Sequence, residues 1–463
     1  MLKRMRYLAS PARAALACLI GLGTALASAT ALAVGEEITD VRIIGNSRTD
    51  ESTVRSVAGV AIGDTLEVDT LDTVRERLNT TGLFADVNVW WESYKTGVRV
   101  NVAVKDKFPW APVPTGSWSA NNKSFGLLFV HGNLFGRGKQ LLLGGRIATV
   151  DSGAALAYRD PSWFGTWIYW QLQGYFQRQN IPEYSPEDIA ADAGPFRTTL
   201  LNSYGVEPAL GVAWFRRVKT QIAWRVERYD LVSAIDGTGM PITTPATQGA
   251  TVGIGKASLS FDFRAREFAV MTGTSLGGGF DLATPDFRGD LNFWRVGGGV
   301  EHGVKFFRSH NLIVSAGGTF GHNLPFWMED TAGGPNLRGY LFQQFRGDSQ
   351  MSARGEYHFP LFSISALDFR ALLFYDVQAL WWRSLPPVGA AVYTPRDTPD
   401  QRTFLINDVN GYQQGFDFNR DIHQAVGGGL RFFLRSVAVP LVGFDAGYGL
   451  ESRSWRFTLI IGA

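Results

Sequence analysis

Cysteine is nearly missing from this chain. Cys18 is the only one among 463 residues, and it sits in an apolar stretch near the N-terminus. Beyond that stretch, disulfide cross-links, thiol catalysis and thiolate metal sites are excluded. Charge is also scarce. Asp, Glu, Lys and Arg make up 19% of the chain, and no Lys/Arg-rich block occurs, so the electrostatic footprint of a nucleic-acid-binding protein is absent. The first 33 residues hold four basic residues (Lys3, Arg4, Arg6, Arg13) and no acid, so the rest carries 40 basic against 42 acidic residues, a balance near −2. After the N-terminus there is no apolar run of the ~18 residues that a membrane helix requires. The six histidines (131, 302, 310, 322, 358, 423) lack metal-ligand spacing. No Gly-rich loop followed by Lys and Ser/Thr is present to cradle a phosphate. Neither a metal nor another cofactor is expected, and no nucleic-acid partner.

What the chain has in quantity is glycine, 53 residues, and aromatics, 13%. Its mean hydropathy is −0.03. A sheet closed in lipid, with apolar side chains outward and polar ones inward on alternate positions, averages close to zero in this way. The N-terminus reads as a secretory leader over residues 1–33. Lys3, Arg4 and Arg6 give a positive end, an Ala/Leu-rich stretch runs from about Ala14 to Ala33, and Ala31-Leu32-Ala33 offers a cleavage site, with Ala27-Ser28-Ala29 as the alternative.

Residues 37–107 read as a small α+β domain. Ile38 to Ile44 alternates like a strand and ends at Gly45-Asn46. Asp50 opens a short helix through about Ala58. Leu71, Val74, Arg75 and Leu78 fall at helical spacing between Asp69 and Thr80. Phe84 to Trp91 and Val98 to Val104 read as two further strands around a turn at Lys95-Thr96-Gly97. The predicted order is β-α-α-β-β. Val41-Arg42-Ile43-Ile44-Gly45-Asn46-Ser47-Arg48-Thr49, with Gly63-Asp64 and Gly82-Leu83-Phe84-Ala85-Asp86-Val87, resembles a POTRA domain, the polypeptide-transport-associated module.

From Pro109 to Ala463 the texture changes to short alternating segments broken by Gly, Asn, Asp and Pro, such as Ile168 to Phe176, Thr220 to Val226, Ala257 to Phe263 and Ala371 to Leu380. About sixteen are recognisable, beginning near residues 115, 124, 139, 153, 167, 197, 218, 249, 273, 292, 311, 349, 369, 422, 437 and 455. Each strand with its loop takes roughly 22 residues, and most segments reach the ~9–11 that cross a bilayer. The fold class is therefore mainly β: an α+β domain followed by a transmembrane antiparallel barrel of about 16 strands. Tryptophans near predicted strand ends (Trp90, Trp91, Trp110, Trp381, Trp382) suggest interfacial girdles.

Several motifs in this region resemble the bacterial surface antigen superfamily, the barrel family of outer-membrane assembly factors and two-partner secretion transporters. Gly132-Asn133-Leu134-Phe135-Gly136-Arg137-Gly138 is similar to its early hairpin turn, Tyr158-Arg159-Asp160-Pro161 to a strand end, and Asp262-Phe263-Arg264 to its mid-barrel acidic-basic strand. Leu337-Arg338-Gly339-Tyr340 is similar to its arginine-glycine-aromatic loop motif. The resemblance implies a loop, around 322–348, that folds back into the lumen, with Arg338 held by Glu356 and Asp376. Alternation agrees: Ser352, Arg354, Glu356 and His358 share one face of a strand, and Tyr375 and Val377 flank Asp376 on the other. A planar, always-charged guanidinium suits such a grip. The chain departs from the family in its non-aromatic C-terminus, in Val377-Gln378 after Asp376, and in a single POTRA domain.

The resemblance implies an outer-membrane barrel with its POTRA domain in the periplasm. Unfolded outer-membrane or secreted polypeptides would be its clients, accessory lipoproteins its partners and outer-membrane lipid its surroundings. An edge strand carrying Phe84, Val87, Val89 and Trp91 would receive clients, and insertion would occur where the first barrel strand (near 115–121) meets the last. A secretion pore with one dedicated passenger and a passive porin are the alternatives. Catalysis is not expected. Gly273-Thr274-Ser275-Leu276-Gly277 matches a nucleophile elbow in letters, but no helix pattern follows it, and Glu356 with Asp376 read as structural acids beside Arg338.

Overall fold

The computed structural model describes residues 35–462 apart from 164–165, 186–187, 190–192, 215–216, 242–248, 384–413 and 435–439. The expected leader, with Cys18, lies outside them. The chain divides into two compact units, one reaching up to Trp110 and including Gly132–Lys139, the other comprising Ala111–His131 and Gln140–Ala463.

The first unit contains β1 (Ile38–Ile44), α1 (Glu51–Ala58), α2 (Thr70–Thr80), β2 (Phe84–Tyr94) and β3 (Gly97–Asp106). The sheet order is β1-β3-β2, so β2 is an edge. Both helices bury one apolar stripe: Val54 and Ala58 from α1, Val74 and Leu78 from α2, against Val98, Val100 and Val102 of β3. Each such side chain contributes about 1.5–3 kcal/mol on burial. Gly59 ends α1 in the left-handed region, φ 62, and returns its N–H to the Arg55 carbonyl. Asp50 occupies the N-cap position, but its side chain makes no cap bond. The connection from β1 to α1 is tied to the end of β3 instead. Asp106 accepts from Thr49 Oγ1 at 2.6 Å, Arg48 N at 2.7 Å and Ser47 Oγ at 3.3 Å.

The second unit is a closed antiparallel barrel of sixteen strands among the described residues. They are β4 (Trp110–Trp118), β5 (Lys123–Leu134), β6 (Lys139–Ala148), β7 (Asp151–Asp160), β8 (Ile168–Glu183), β9 (Arg197–Trp214), β10 (Val218–Asp236), β11 (Ala250–Asp262), β13 (Val270–Ala283), β14 (Phe293–Phe306), β15 (His310–His322), β18 (Ser349–Ile364), β19 (Leu367–Trp381), β20 (Ile422–Leu434), β21 (Pro440–Gly449) and β22 (Ser454–Ile461). The short β12 (Ala265–Glu267) belongs to the hairpin between β11 and β13, and β16 (Asp330–Ala332) and β17 (Phe345–Gly347) lie within the connection from β15 to β18. Alternation sets the two faces. Along β9, Arg197, Thr199, Leu201, Ser203, Glu207 and Ala209 are buried, while Tyr204, Val206 and Leu210 are exposed. Closure leaves each ladder with a neighbour, as a sheet in lipid requires. Eight glycines form a patch across three strands: Gly277, Gly278 and Gly279 stand opposite Gly299, Gly298 and Gly297, and Gly298 and Gly299 opposite Gly318 and Gly317.

Two expectations change. The first barrel strand begins at Trp110, well before residue 115. Pro112 and Pro114 look like strand breakers, but an edge that donates little accommodates proline. Trp90 and Trp91 belong to β2 of the small sheet, and Trp381 and Trp382 are buried at the end of β19. None of these four serves an outward aromatic girdle.

Candidate functional site

The connection between β15 and β18 is an arm folded inside the barrel. Its two ends pair as a small ladder, Asp330 with Gly347, Thr331 with Arg346 and Ala332 with Phe345. At its tip Arg338 is 4% exposed. Its Nε and Nη2 donate to the two oxygens of Asp376 at 2.8 and 2.7 Å, and Nη1 lies 2.8 Å from Glu356 Oε1. The guanidinium stacks on Phe374, 3.4 Å from the ring centroid. Leu337 is fully buried, and Tyr340 Oη donates to the Gln424 carbonyl at 3.0 Å. Sequence reading had grouped Arg338, Glu356 and Asp376, and the fold brings the three together.

Three further residues complete the cluster and were not anticipated. Asp445 of β21 lies 3.8 Å from Arg338 and is gripped at both oxygens by Arg431, at 2.7 and 3.0 Å. Arg354 donates to Asp376 at 2.9 Å and to the carbonyls of Pro335 and Asn336 at 2.7 and 2.9 Å, so it ties wall to arm. Three arginines thus face three carboxylates, which lets a charged cluster stay buried. The signal for Asp445 was its place among Gly443, Gly447 and Gly449 on one face of β21. Those glycines make room. A Cβ on Gly447 would lie 2.6 Å from Gly339 N, and a Cβ on Gly339 2.6 Å from Gly449 N, with Gly339 itself at φ 94.

The arm has a second, apolar anchorage. Leu324 and Phe326 are buried among inward side chains of β8 to β14, including Leu201, Val252, Ile254 and Phe293. Arg346 fastens this end by donating to the Phe326 carbonyl at 2.6 Å. A third set of bonds reaches the strand turns. Asn121, in the turn after β4, exchanges two hydrogen bonds with Phe342 at 2.8 and 3.1 Å, and Glu451 N, in the turn before β22, donates to Tyr340 Oη at 3.3 Å. These turns flank the junction of the first and last strands. There the ladder consists of Gly116–Ile461, Ser117–Ile460 and Trp118–Leu459. The neighbouring ladder of β22 with β21 runs its whole length, from Ser454 to Ile461.

Elsewhere the sequence motifs occupy plain structural positions. Asn133 Oδ1 accepts from Gly138 N at 2.8 Å inside the β5–β6 turn, where Phe135, Gly136 and Gly138 all have positive φ. Arg264 binds Asp262 at 2.8 Å and Glu301 at 2.6 Å. Ser275 lies within β13, paired with Asp262 and Glu301, and the strand runs on to Ala283 where a nucleophile elbow would turn at once into a helix. In the small unit, Phe84, Val87 and Val89 are buried and Trp91 packs against the same core. Their side chains face the helices, because alternate residues of a one-sided sheet must. β2 is the edge of the sheet, as expected, and what it presents is its backbone edge and its other face, with Asp86, Asn88 and Trp90.

An Omp85 superfamily domain model matches residues 133–435, and a POTRA model, described as a surface antigen variable number repeat, matches residues 36–107. No curated protein matches the chain. Solved structures share its fold. BamA from Haemophilus ducreyi lacking POTRA domains 1-3 is 15% identical with a TM-score of 0.64, over 92% of this chain and 84% of that one. CdiB from Escherichia coli is 14% identical with a TM-score of 0.61, over 92% and 76%. CdiB from Acinetobacter baumannii is 11% identical with a TM-score of 0.57, over 92% and 74%. With the family model spanning well over half of its length, the chain belongs to the Omp85 superfamily.

Proposed function

We propose that this protein is an outer-membrane insertion factor. It receives unfolded polypeptides in the periplasm at the backbone edge of β2 and inserts them at the seam between β4 and β22. The observation that carries this reading is the short seam ladder, limited to Gly116, Ser117 and Trp118 on the β4 side. An exposed strand edge is a template for any extended chain, whatever its side chains. The buried arm supports the same reading. Arg338 holds it on one wall and Leu324 with Phe326 on another, so the lumen is occupied by the chain itself, which disfavours a passive porin. Depleting the protein and measuring the outer-membrane proteome tests the role: barrel proteins should fall together, and an unchanged proteome would rule insertion out. Crosslinking a stalled client separates insertion from export, since seam adducts favour the first and adducts with inward residues near Arg338 the second.

A further inference from the structure

We propose that the outer wall of the barrel carries a seat for a phosphate-bearing lipid headgroup, built on Arg178, Asn202 and Arg228. β8 and β10 run away from the end at which the chain enters the barrel at Trp110, and β9 runs back towards it. From that end the outward residues form an apolar band, with Leu172 and Phe176 on β8, Val206 and Leu210 on β9, and Ile222 and Trp224 on β10 all exposed. Beyond it the outward positions turn polar: Arg178, Asn202, and Arg228 with Asp230. They form one row, since Arg178 pairs with Asn202 and Asn202 with Asp230. Arg178 stands ten residues on from Ile168, the start of β8. That is about 33 Å of strand, or about 25 Å along the membrane normal at a tilt of ~40°, the height of a barrel's lipid-facing band. The row therefore lies where hydrocarbon gives way to headgroups. It is confined to this part of the wall: the same end of β14, β15 and β22 carries Trp294, Phe320 and Trp455.

Arg178 is exposed and has no acid partner among the described residues. Opposite it, Asn202 Oδ1 is buried without a hydrogen-bond partner. Arg228 is already balanced, its Nε donating to Asp230 at 3.0 Å and its Nη1 to Thr251 Oγ1 at 3.4 Å. The row closes on the β11 side, where residues 285–290 fold back over the outside of the wall. There the Phe287 carbonyl accepts from Trp224 Nε1 at 3.3 Å and occupies the space that a side chain on Gly253 would fill. Arg288 of this loop is exposed beside Asp286, and Asp290 accepts from Thr251 N at 2.7 Å, so the loop adds no excess of positive charge. Arg178 is the uncompensated cation of the patch. An arginine facing lipid without an acid is costly in hydrocarbon and is met by phosphate among headgroups. Its planar fork grips two oxygens of one phosphate. The acyl chains of the same lipid lie against Phe176 and Tyr204, a cross-strand pair directly beneath. Free phosphate offers the same oxygens but nothing for those two rings to hold. The proposal rests on the reading above, which sets this end of the barrel at the outer leaflet.

The probe is diphosphoryl lipid A, titrated into the full chain in mild detergent and counted on the protein by native mass spectrometry, with inorganic phosphate as competitor. Heat-modifiable mobility confirms that each variant is folded. Arg178→Gln should weaken lipid binding roughly tenfold, the worth of a charge-assisted grip, and Arg178→Lys should fall between. Arg266→Gln, in the hairpin at the entry end, removes the same charge and should change nothing. An excess of inorganic phosphate should leave the lipid bound. Undiminished binding by Arg178→Gln, an equal loss in Arg266→Gln, or displacement by phosphate overturns the proposal. Thr238→Cys, in the loop after β10, separates this failure from that of the reading beneath it. Labelled by an impermeant maleimide in intact cells, it places this end at the surface, and absent lipid selectivity then refutes the headgroup seat alone. Labelling only after permeabilisation overturns both.

Discussion

Arg338 is the residue on which the inner arm depends. Its charge is spread over Asp376, Glu356 and, more distantly, Asp445, and the ring of Phe374 covers one face of the guanidinium. Removing it leaves Asp376 to Arg354 and Glu356 to His358, so the cost falls short of the roughly 3–5 kcal/mol of a wholly unpartnered buried charge, but the arm loses its own link to the wall. Arg338→Ala should therefore release the arm, read as protease cleavage within 323–348 under conditions that spare the unaltered protein. Arg338→Lys keeps the charge but loses the two-pronged grip on Asp376, so cleavage should fall between the two. Asp106 is the informative residue of the small unit. Burial raises its pKa, but the bonds from Thr49, Arg48 and Ser47 outweigh this and hold it below its ordinary 3.8. A carboxyl depressed on folding adds stability above that ordinary value and loses it as pH falls through the lower, folded one. Hydrogen exchange of β1 and β3, corrected for intrinsic rates, should show protection falling in that acid window, and Asp106→Asn should flatten the dependence while lowering protection at neutral pH. At this scale the sequence was partly legible. Arg338, Glu356 and Asp376 could be grouped because a known motif and strand alternation point at them. Asp445 could not, because which strand packs on an inward loop is settled by closure of the sheet.

Among elements, alternation revealed the sixteen barrel strands, since period-two patterning is the direct imprint of a wall with two unlike faces. It failed where chemistry overrode pattern. Pro112 and Pro114 hid the start of β4, and β8, β9 and β10 run to 16, 18 and 19 residues, longer than a bilayer demands. The apolar anchor Leu324 and Phe326 was invisible, because a run of loop residues shows no period. The place of β2 at the edge of the small sheet agrees with the reading, while its apolar side chains serve the core under the helices. A prediction belongs to the seam as an element: Gly116→Cys with Ile461→Cys joins paired positions. Once oxidised, this lock should stop client insertion in reconstituted vesicles and leave ion conductance unchanged. Continued insertion by the locked protein would place the working surface elsewhere.

On the scale of the whole molecule, the proposed function assigns reception of clients to the small unit and insertion to the barrel. Deleting residues 37–107 should leave a barrel that still folds, read by heat-modifiable mobility, but that no longer assembles clients. Full activity without them would remove the receiving role from β2. The occupied lumen sets a further expectation. Purified protein in planar bilayers should conduct weakly, and Phe326→Asp, which unseats the apolar anchor, should raise the conductance several-fold.

A hoop cut at one point and prised apart flexes most across from the cut. Taking β12 with β11, β13 is the eighth strand on from β4, and β22 is seven strands further. The glycines of β13, β14 and β15 therefore lie half-way round the wall from the seam, and within their patch no side chain stiffens the sheet, although Leu276, Val296 and Val300 border it. A Cβ on Gly298 would come within 2.9 Å of the Gly277 carbonyl. Gly298→Val should thus brace the wall opposite the split and slow its widening, without touching any residue a client meets.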